Sequence, residues 1–230
     1  MLQKSLRGCQ KIFLLTTGRN TYKICPGGDS LKGRTVNRFR RQRFQMLFET
    51  FQLSEESRVL DLGGLPYDWV ELDFPGQVVC VSLSAIREGT WGKGNILYVR
   101  KDVFELDYSP DDFDVVYSNS LLEHVGRENQ PRLAGVVRRF PSYWVQVPYR
   151  YFPIEPHYRA PFFWSLPQPV RRMLARRWTS ILARRNYYQD EVDSMWLLDR
   201  EEMKTLFPEA QIIEEKVLGI VKSLIALRRA

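Results

Sequence analysis

Hydrophobic residues between positions 58 and 147 occur in short runs that alternate with polar loops or helical stretches. The runs with the length and composition of buried strands cover residues 58–62, 77–83, 95–100, 113–118 and 142–147. Between the last two runs, residues 120–140 carry apolar side chains at helical spacing. Strands that are apolar on both faces and separated by helical segments predict a parallel sheet covered on both sides.

Further elements are predicted on both sides of this region. Apolar residues at helical spacing predict a helix over 36–51, and a second helix is predicted over 197–207 with Asp199 as its N-cap. Strands are predicted over 210–217 and 220–227, and the tight joint between them makes them antiparallel neighbours. We therefore predict an α/β fold whose mainly parallel sheet ends in an antiparallel hairpin.

The chain divides into an arm and one domain. Residues 1–33 carry weak patterning and are predicted to be a poorly fixed N-terminal arm, whereas 34–230 have the size and apolar content of a single domain. An insertion at about 149–196 begins with a stretch dense in proline and aromatic residues. It continues with a basic helix over 170–185, for which packing on the domain and contact with anionic lipid are the two interpretations.

Charge and composition limit the function classes. The net charge of +7 admits an anionic partner, namely nucleic acid, a membrane surface or a phosphorylated substrate, although arginines on a helix are often only a solvated surface. The three cysteines lack CxxC spacing and there are two histidines, which argues against a disulfide framework, a zinc site or a histidine metal centre. No apolar run approaches transmembrane length, so the expected compartment is the cytoplasm.

Polar residues and glycines follow three of the predicted strands. In an open parallel sheet, ligands bind beyond the carboxyl ends of the strands, and glycines there let the backbone approach the ligand closely. The second strand ends without the acid that usually holds ribose hydroxyls, although a serine at that position can form a weaker hydrogen bond. The residues singled out for a nucleotide-type ligand are Asp61, Gly63, Gly64, Ser82, Asp102 and Val103.

The order of these motifs carries a resemblance. VLDLGG, VVCVSLS, RKDVFEL and FDVVYSNSLLEHV together resemble the class I S-adenosylmethionine-dependent methyltransferases. The segments 149–162 and 222–226 are similar to a bacterial methyltransferase type 11-like subgroup. The resemblance covers residues 36–229 and implies a Rossmann-like, doubly wound, mainly parallel seven-stranded sheet that ends in an antiparallel hairpin. It implies S-adenosyl-L-methionine as the cofactor and no metal.

The resemblance also assigns roles to residues. Asp61, Gly63 and Gly64 would line the methionine end of the cofactor, Ser82 the ribose, and Asp102 with Val103 the adenine. Ser118, Asn119 and Ser120 would close over the sulfonium, and Glu123 and His124 would begin the helix beneath it. The sequence departs from the family in two places, because Leu65 and Pro66 follow the two glycines and the ribose acid is absent.

Methyl transfer from a sulfonium depends mainly on in-line positioning of the acceptor, and a base is needed only for a hydroxyl or a protonated amine. The candidate catalytic residues are His124, His157 and Glu155, the last of which would orient the imidazole of His157 or contact the substrate. The alternative for His124 is a structural hydrogen bond to backbone at the helix start.

Three hypotheses remain open at this point. The first is a methyltransferase for a small molecule or an envelope-glycan or lipid-linked acceptor, cytoplasmic or peripheral at the inner face of the membrane. The second is a non-catalytic, degenerate binding or scaffold protein of the same fold. The third is a nucleic-acid methyltransferase or binder, against which Ser118-Asn119-Ser120-Leu121 stand where an NPPY-type tetrad would be expected. The acceptor and the oligomeric state are left open.

Overall fold

A computed structural model describes residues 13–17, 20–24, 38–154, 163, 166–167, 169–174 and 195–230. The chain forms two compact units, residues 1–117 and 118–230, which are described in turn. The described strands are β1 (Phe13–Thr17), β2 (Asn20–Ile24), β3 (Arg58–Leu62), β4 (Gln77–Ser82), β5 (Gly89–Trp91), β6 (Ile96–Arg100), β7 (Val115–Asn119), β8 (Tyr143–Pro148), β9 (Gln211–Val217) and β10 (Ile220–Arg228). The helices with defined ends are α1 (Arg38–Phe51), α2 (Pro66–Glu71), α3 (Gln130–Arg138) and α4 (Arg200–Leu206).

Within the described residues, the main sheet has eight strands in the order β5-β6-β4-β3-β7-β8-β10-β9. Strands β3, β4 and β6 pair in parallel, whereas β8, β10 and β9 pair antiparallel. The predicted mainly parallel sheet with a closing antiparallel hairpin is therefore confirmed. The structure has one strand more than the predicted seven, because the three-residue strand β5 pairs antiparallel with the outer edge of β6.

The N-terminal arm was predicted to be poorly fixed, and the structure describes two short strands within it. Strands β1 and β2 form an antiparallel pair in which Phe13 lies opposite Ile24 and Thr17 opposite Asn20. The backbone pairing of this hairpin satisfies the main-chain polar groups of a stretch whose side chains show weak patterning.

Aromatic packing holds α1 and α2 in the first unit. The ring of the fully buried Trp69 lies 4.8 Å from that of Phe44 and 5.7 Å from that of Tyr117, both in edge-to-face geometry. On the outside, Arg40 pairs with Asp68 at 2.6 Å and Arg41 with Glu71 at 3.0 Å. These two arginines of α1 are therefore engaged in ion pairs with α2. This favours the interpretation that the arginines of α1 form a solvated helix surface and not a binding patch.

In the second unit, the helix predicted over residues 120–140 begins later. Residues 121–126 form turns, a short 3-10 helix covers Arg127–Asn129, and α3 begins at Gln130. Two residues explain this start. Gly126 has a φ of +79°, which a helix does not contain, and Pro131 lacks the amide hydrogen that a helix interior requires but is tolerated in its first turn.

The C-terminal elements follow the sequence closely. Asp199 caps α4, since its side chain accepts from the Glu202 amide at 3.0 Å while the Glu202 carboxylate accepts from the Asp199 amide at 2.9 Å. Strands β9 and β10 are joined by Leu218 and Gly219, which have φ values of 51° and 80°. Two successive left-handed residues are the geometry of a type I′ hairpin turn.

Arg150 joins the two ends of the predicted insertion. Its guanidinium donates to Leu197 O at 2.6 Å, to Asp199 Oδ2 at 3.0 Å and to Glu202 Oε2 at 2.5 Å, and it lies over the ring of Trp196. The chain therefore leaves β8 and returns to α4 at neighbouring positions. Of the predicted basic helix over 170–185, only residues 170–174 lie within the described residues, and these are helical. Among the described helices, none is long and apolar enough to cross a membrane.

Candidate functional site

The carboxyl ends of β3, β4 and β6 lie side by side in the first unit. In the register of these parallel strands, Leu62 pairs with Val81, Val81 with Val99, and Ser82 with Arg100. The residues that follow each strand therefore meet at one edge of the sheet. The structure brings together there the predicted Gly63, Gly64, Ser82, Asp102 and Val103, with Asp61 inside β3.

Asp61 is a buried acid, 2% exposed, whose carboxyl group is held by an indole. Trp69 Nε1 donates to Asp61 Oδ2 at 2.7 Å, and the Cys80 thiol lies 3.9 Å from the same oxygen. Burial raises the pKa of the Asp61 carboxyl to about 7, although the hydrogen bond from Trp69 acts in the opposite direction. Within the described residues Asp61 Oδ1 has no hydrogen-bond partner.

The glycine loop lies directly on this carboxyl group. A Cβ atom placed on Gly64 would lie 1.8 Å from Asp61 Oδ2, so only glycine fits this position without a shift. Gly63 has a φ of +81°, and its amide donates to Val81 O at 2.7 Å. Pro66 is the first residue of α2, where its fixed φ and missing amide hydrogen are tolerated. Leu65 and Pro66 therefore start α2. The loop requires a left-handed φ, which Gly63 supplies, and a residue without a Cβ atom, which Gly64 supplies.

The next two predicted residues occupy tight turns. At the end of β4, Ser82 Oγ accepts from the Ser84 amide at 3.2 Å and lies 3.2 Å from Ser84 Oγ. After β6, Asp102 caps a short 3-10 helix, since its Oδ1 accepts from the Phe104 amide at 2.9 Å. This bond uses one oxygen of the Asp102 carboxylate. Val103, the first residue of that helix, is buried.

In the second unit, Ser118 is buried and Asn119 is half-buried at the end of β7. Ser120 follows with a φ of +57°, which is uncommon for a residue with a side chain. Its amide donates to Gln146 O at 3.0 Å and its hydroxyl contacts Gln146 Oε1 at 3.3 Å. Two bonds to β8 thus hold a sharp turn at Ser120, the last of the predicted sulfonium residues.

Glu123 and His124 do not begin a helix, contrary to the prediction, because they lie in the turns before Gly126. The Glu123 side chain is fully buried, its Oε1 lies 4.0 Å from His124 Nε2, and its carbonyl accepts from the Trp196 amide at 2.9 Å. The His124 side chain is 32% exposed. The other candidates, Glu155 and His157, lie outside the described residues, so His124 is the candidate base that the structure places.

Sequence reasoning missed Trp69 and Tyr98. Trp69 holds Asp61, and Tyr98 Oη lies 2.7 Å from Ser84 O and 3.1 Å from Ser82 O. Neither side chain was assigned a hydrogen-bonding role from the sequence, because a signal for their polar atoms exists solely in the three-dimensional contact. Within the part of the chain that the structure describes, no group of three or more His, Cys, Asp or Glu residues is arranged to hold a metal ion.

Neither a protein-family model nor a curated protein sequence matches this chain. Solved structures do. The methyltransferase domain of a bacterial CtHen1 matches 83% of this chain and 98% of its own with a TM-score of 0.53 and 12% identity. The Burkholderia thailandensis 1,6-didemethyltoxoflavin N1-methyltransferase, with 1,6-didemethyltoxoflavin and S-adenosylhomocysteine bound, matches 83% and 78% with a TM-score of 0.51 and 13% identity. The small RNA methyltransferase HEN1 matches 89% of this chain and 27% of its own with a TM-score of 0.50 and 16% identity.

These similarities, together with the strand order, show the fold. The chain has the fold of the class I S-adenosylmethionine-dependent methyltransferases, as its sequence motifs predicted. At 12% to 16% identity, what is shared is the fold.

Proposed function

We propose that this chain is an S-adenosylmethionine-dependent methyltransferase. The contact between Asp61 and Gly64 carries the proposal. A buried carboxyl group lies against a glycine that admits no Cβ, and one of its oxygens has no partner among the described residues. A left-handed glycine precedes it, and hydroxyl and carboxylate groups follow the two adjacent strands. These are the donors, acceptors and close backbone approach that an adenosine linked to an amino acid requires.

The proposed roles follow the order of the strands. Asp61, Gly63 and Gly64 hold the amino-acid portion, Ser82 faces the ribose, and Asp102 with Val103 takes the adenine. The role of Ser118 and Asn119, which end β7, at the sulfonium end stays a prediction. Bound S-adenosylmethionine supplies an already activated methyl group, so the protein's task is to orient the cofactor and the acceptor and to exclude water.

The proposed acceptor is a small molecule or a glycan or lipid-linked compound. The ion pairs of Arg40 and Arg41 with α2 support this over a nucleic acid, because they neutralise charge that a phosphate backbone would need. His124 is the proposed base for an acceptor that loses a proton, and Glu123 Oε1 lies 4.0 Å from its Nε2. The roles of Glu155 and His157, and membrane contact through 170–185, stay predictions.

Calorimetry with S-adenosylhomocysteine tests the cofactor assignment. Gly64→Ala is expected to abolish binding, because the new Cβ displaces the Asp61 carboxyl and the loop above it. Gly135→Ala is the matched control, since a Cβ at this position of α3 meets nothing within 4 Å. Absence of binding by the wild-type chain, or equal binding by the two variants, would refute the proposal.

A second measurement separates an enzyme from a binding protein of the same fold. Wild-type protein is incubated with labelled S-adenosylmethionine and a panel of hydroxyl, amine and nucleic-acid acceptors, and S-adenosylhomocysteine is quantified. Turnover with any acceptor supports the methyltransferase. Tight binding without turnover on the whole panel would support the non-catalytic alternative.

A further inference from the structure

The loop after β4 is held by side chains of the neighbouring strand β6. Tyr98 Oη lies within hydrogen-bond distance of Ser82 O and Ser84 O, and Arg100 Nε donates to Leu83 O at 3.2 Å. The three successive carbonyl groups of this loop thus have donors on β6 within reach. Leu83 at the loop tip is 65% exposed, so the loop is fixed in position but open on its outer side.

Within this loop, the hydroxyl groups of Ser82 and Ser84 form a closed pair. The Ser82 hydroxyl accepts from the Ser84 amide and donates to Ser84 Oγ, both at 3.2 Å. Its donor and one of its two acceptor lone pairs are therefore used within the protein, which leaves one lone pair for a ligand. Both serines are half-buried, so the pair is accessible from the edge of the sheet.

We propose that this hydroxyl pair contacts the cofactor ribose and makes the site tolerant of changes to the ribose hydroxyls. The inference rests on the proposed function, since it concerns the same adenosine site. It adds Ser84 to the site and assigns Ser82 a role in specificity.

The tolerance follows from hydrogen-bond accounting. A carboxylate at the end of β4 would accept bonds from the ribose, and a ligand lacking a hydroxyl would leave part of that charge desolvated and unpaired. The Ser82 hydroxyl keeps both of its bonds within the loop whether the ribose hydroxyl is present or not. Loss of a ribose hydroxyl therefore leaves no uncompensated group on Ser82, and the preference for the intact ribose is small.

The same reasoning predicts what restores the preference. Ser82 lies opposite Arg100 in the register of β4 and β6, so a carboxylate introduced at position 82 has a cation beside it and stays ionised. Hydrogen bonds to a charged acceptor are stronger than those between neutral groups. Ser82→Asp should thus raise both the affinity for the cofactor and its discrimination against an altered ribose.

The test compares S-adenosylhomocysteine with its 2′-deoxyribose analogue by calorimetry. Wild-type protein is expected to bind the deoxy analogue less than about fivefold more weakly than the parent compound. Ser82→Asp is expected to bind the parent about tenfold more tightly and to prefer it over the analogue by at least about tenfold more than wild type does. Ser84→Ala should lower the affinity for S-adenosylhomocysteine more than the affinity for the deoxy analogue. The reason is that the Ser84 hydroxyl and the ribose hydroxyl are coupled if they are in contact, and the analogue lacks that ribose hydroxyl.

Two controls separate charge from shape and position. Ser82→Asn has nearly the shape of Ser82→Asp without its charge and should gain neither affinity nor preference. Ser54→Asp adds the same charge at the amino end of β3, where the Ser54 hydroxyl accepts from the Glu56 amide in a turn that a carboxylate also serves. It should bind both compounds as wild type does.

The outcomes distinguish the two levels of the proposal. If wild type and Ser82→Asp both fail to bind either compound, the proposed function fails. If wild type binds but rejects the deoxy analogue by more than about fiftyfold, or Ser82→Asp gives no gain, the ribose inference is overturned while the function stands. Equal weakening of both compounds by Ser84→Ala would overturn the assignment of Ser84.

Discussion

Asp61→Asn is expected to stabilise the folded protein at neutral and alkaline pH. The substitution keeps the shape of the side chain and leaves Oδ1 of the asparagine as an acceptor for the Trp69 indole. It removes a negative charge from a fully buried position. The folded state at high pH must otherwise hold that charge away from water.

The magnitude follows from the pKa of the buried carboxyl. Burial raises it from an ordinary 3.8 to about 7, a difference of about three units, and each unit corresponds to about 1.4 kcal/mol. In the folded state the proton is held more tightly than in the unfolded state. The free energy of unfolding therefore falls as the pH rises from about 4 to about 7, and the wild-type protein loses up to about 4 kcal/mol across this window.

The neighbours of Asp61 account for the direction. Desolvation dominates, and the Asp68 carboxylate adds to it, whereas the hydrogen bonds from Trp69 and Cys80 and the charge of Arg40 partly oppose it. None of these groups is changed in the asparagine variant. The difference in stability between the two proteins thus isolates the Asp61 carboxyl from the other titrating groups.

Urea denaturation between pH 4.5 and pH 8.5, followed by circular dichroism, measures this difference. The variant should be about 2 to 4 kcal/mol more stable than wild type at pH 8.5, and the advantage should shrink towards pH 4.5. Asp107→Asn removes an exposed carboxyl from the same unit, and the free energy of unfolding of this variant should depend on pH as it does in wild type. A variant that is less stable than wild type at pH 8.5, or an advantage that does not depend on pH, would refute the reasoning.

Two further predictions concern the second unit. Arg150→Ala should lower the free energy of unfolding by about 3 kcal/mol, because it leaves Asp199 and Glu202 in partly buried positions without their cation. Arg150→Lys should recover part of this loss in the same urea titration. Equal stability of Arg150→Ala and wild type would contradict the prediction. Leu218→Asn should raise the thermal midpoint by a few degrees, since asparagine tolerates the left-handed φ of 51° and the leucine side chain is 98% exposed. No gain over an Ile220→Val control would show that the turn stores no strain.

The sequence predicts the elements whose causes are local. Strand β3 has the predicted ends, and Asp199 forms the predicted cap, because apolar runs and capping residues act on their immediate neighbours. The hairpin of β9 and β10 was predicted from its short joint for the same reason. By contrast, the apolar spacing of residues 121–125 continues the pattern of α3, and the start of the helix depends on Gly126 and Pro131 instead.

Elements that depend on contacts outside their own segment were missed. Strand β5 is three residues long and exists because β6 offers an unpaired edge, which no property of Gly89–Trp91 alone reveals. The identity of the candidate residues on β3 and β4 was predictable from type and position. Their environment was not, because the indole of Trp69 and the hydroxyl of Tyr98 reach them only in the folded chain.

Two features of the candidate site residues lower the stability of the folded protein. The charged Asp61 side chain in β3 and the left-handed Ser120 after β7 both disfavour the folded state. A ligand that donates a hydrogen bond to Asp61 would favour its ionised form and offset the loss above pH 7. The stabilisation of the wild-type chain by S-adenosylhomocysteine should then be larger at pH 8.5 than at pH 5.5. Asp61→Asn should remove that dependence on pH, and a wild-type chain stabilised equally at both pH values would show that Asp61 takes no part in binding.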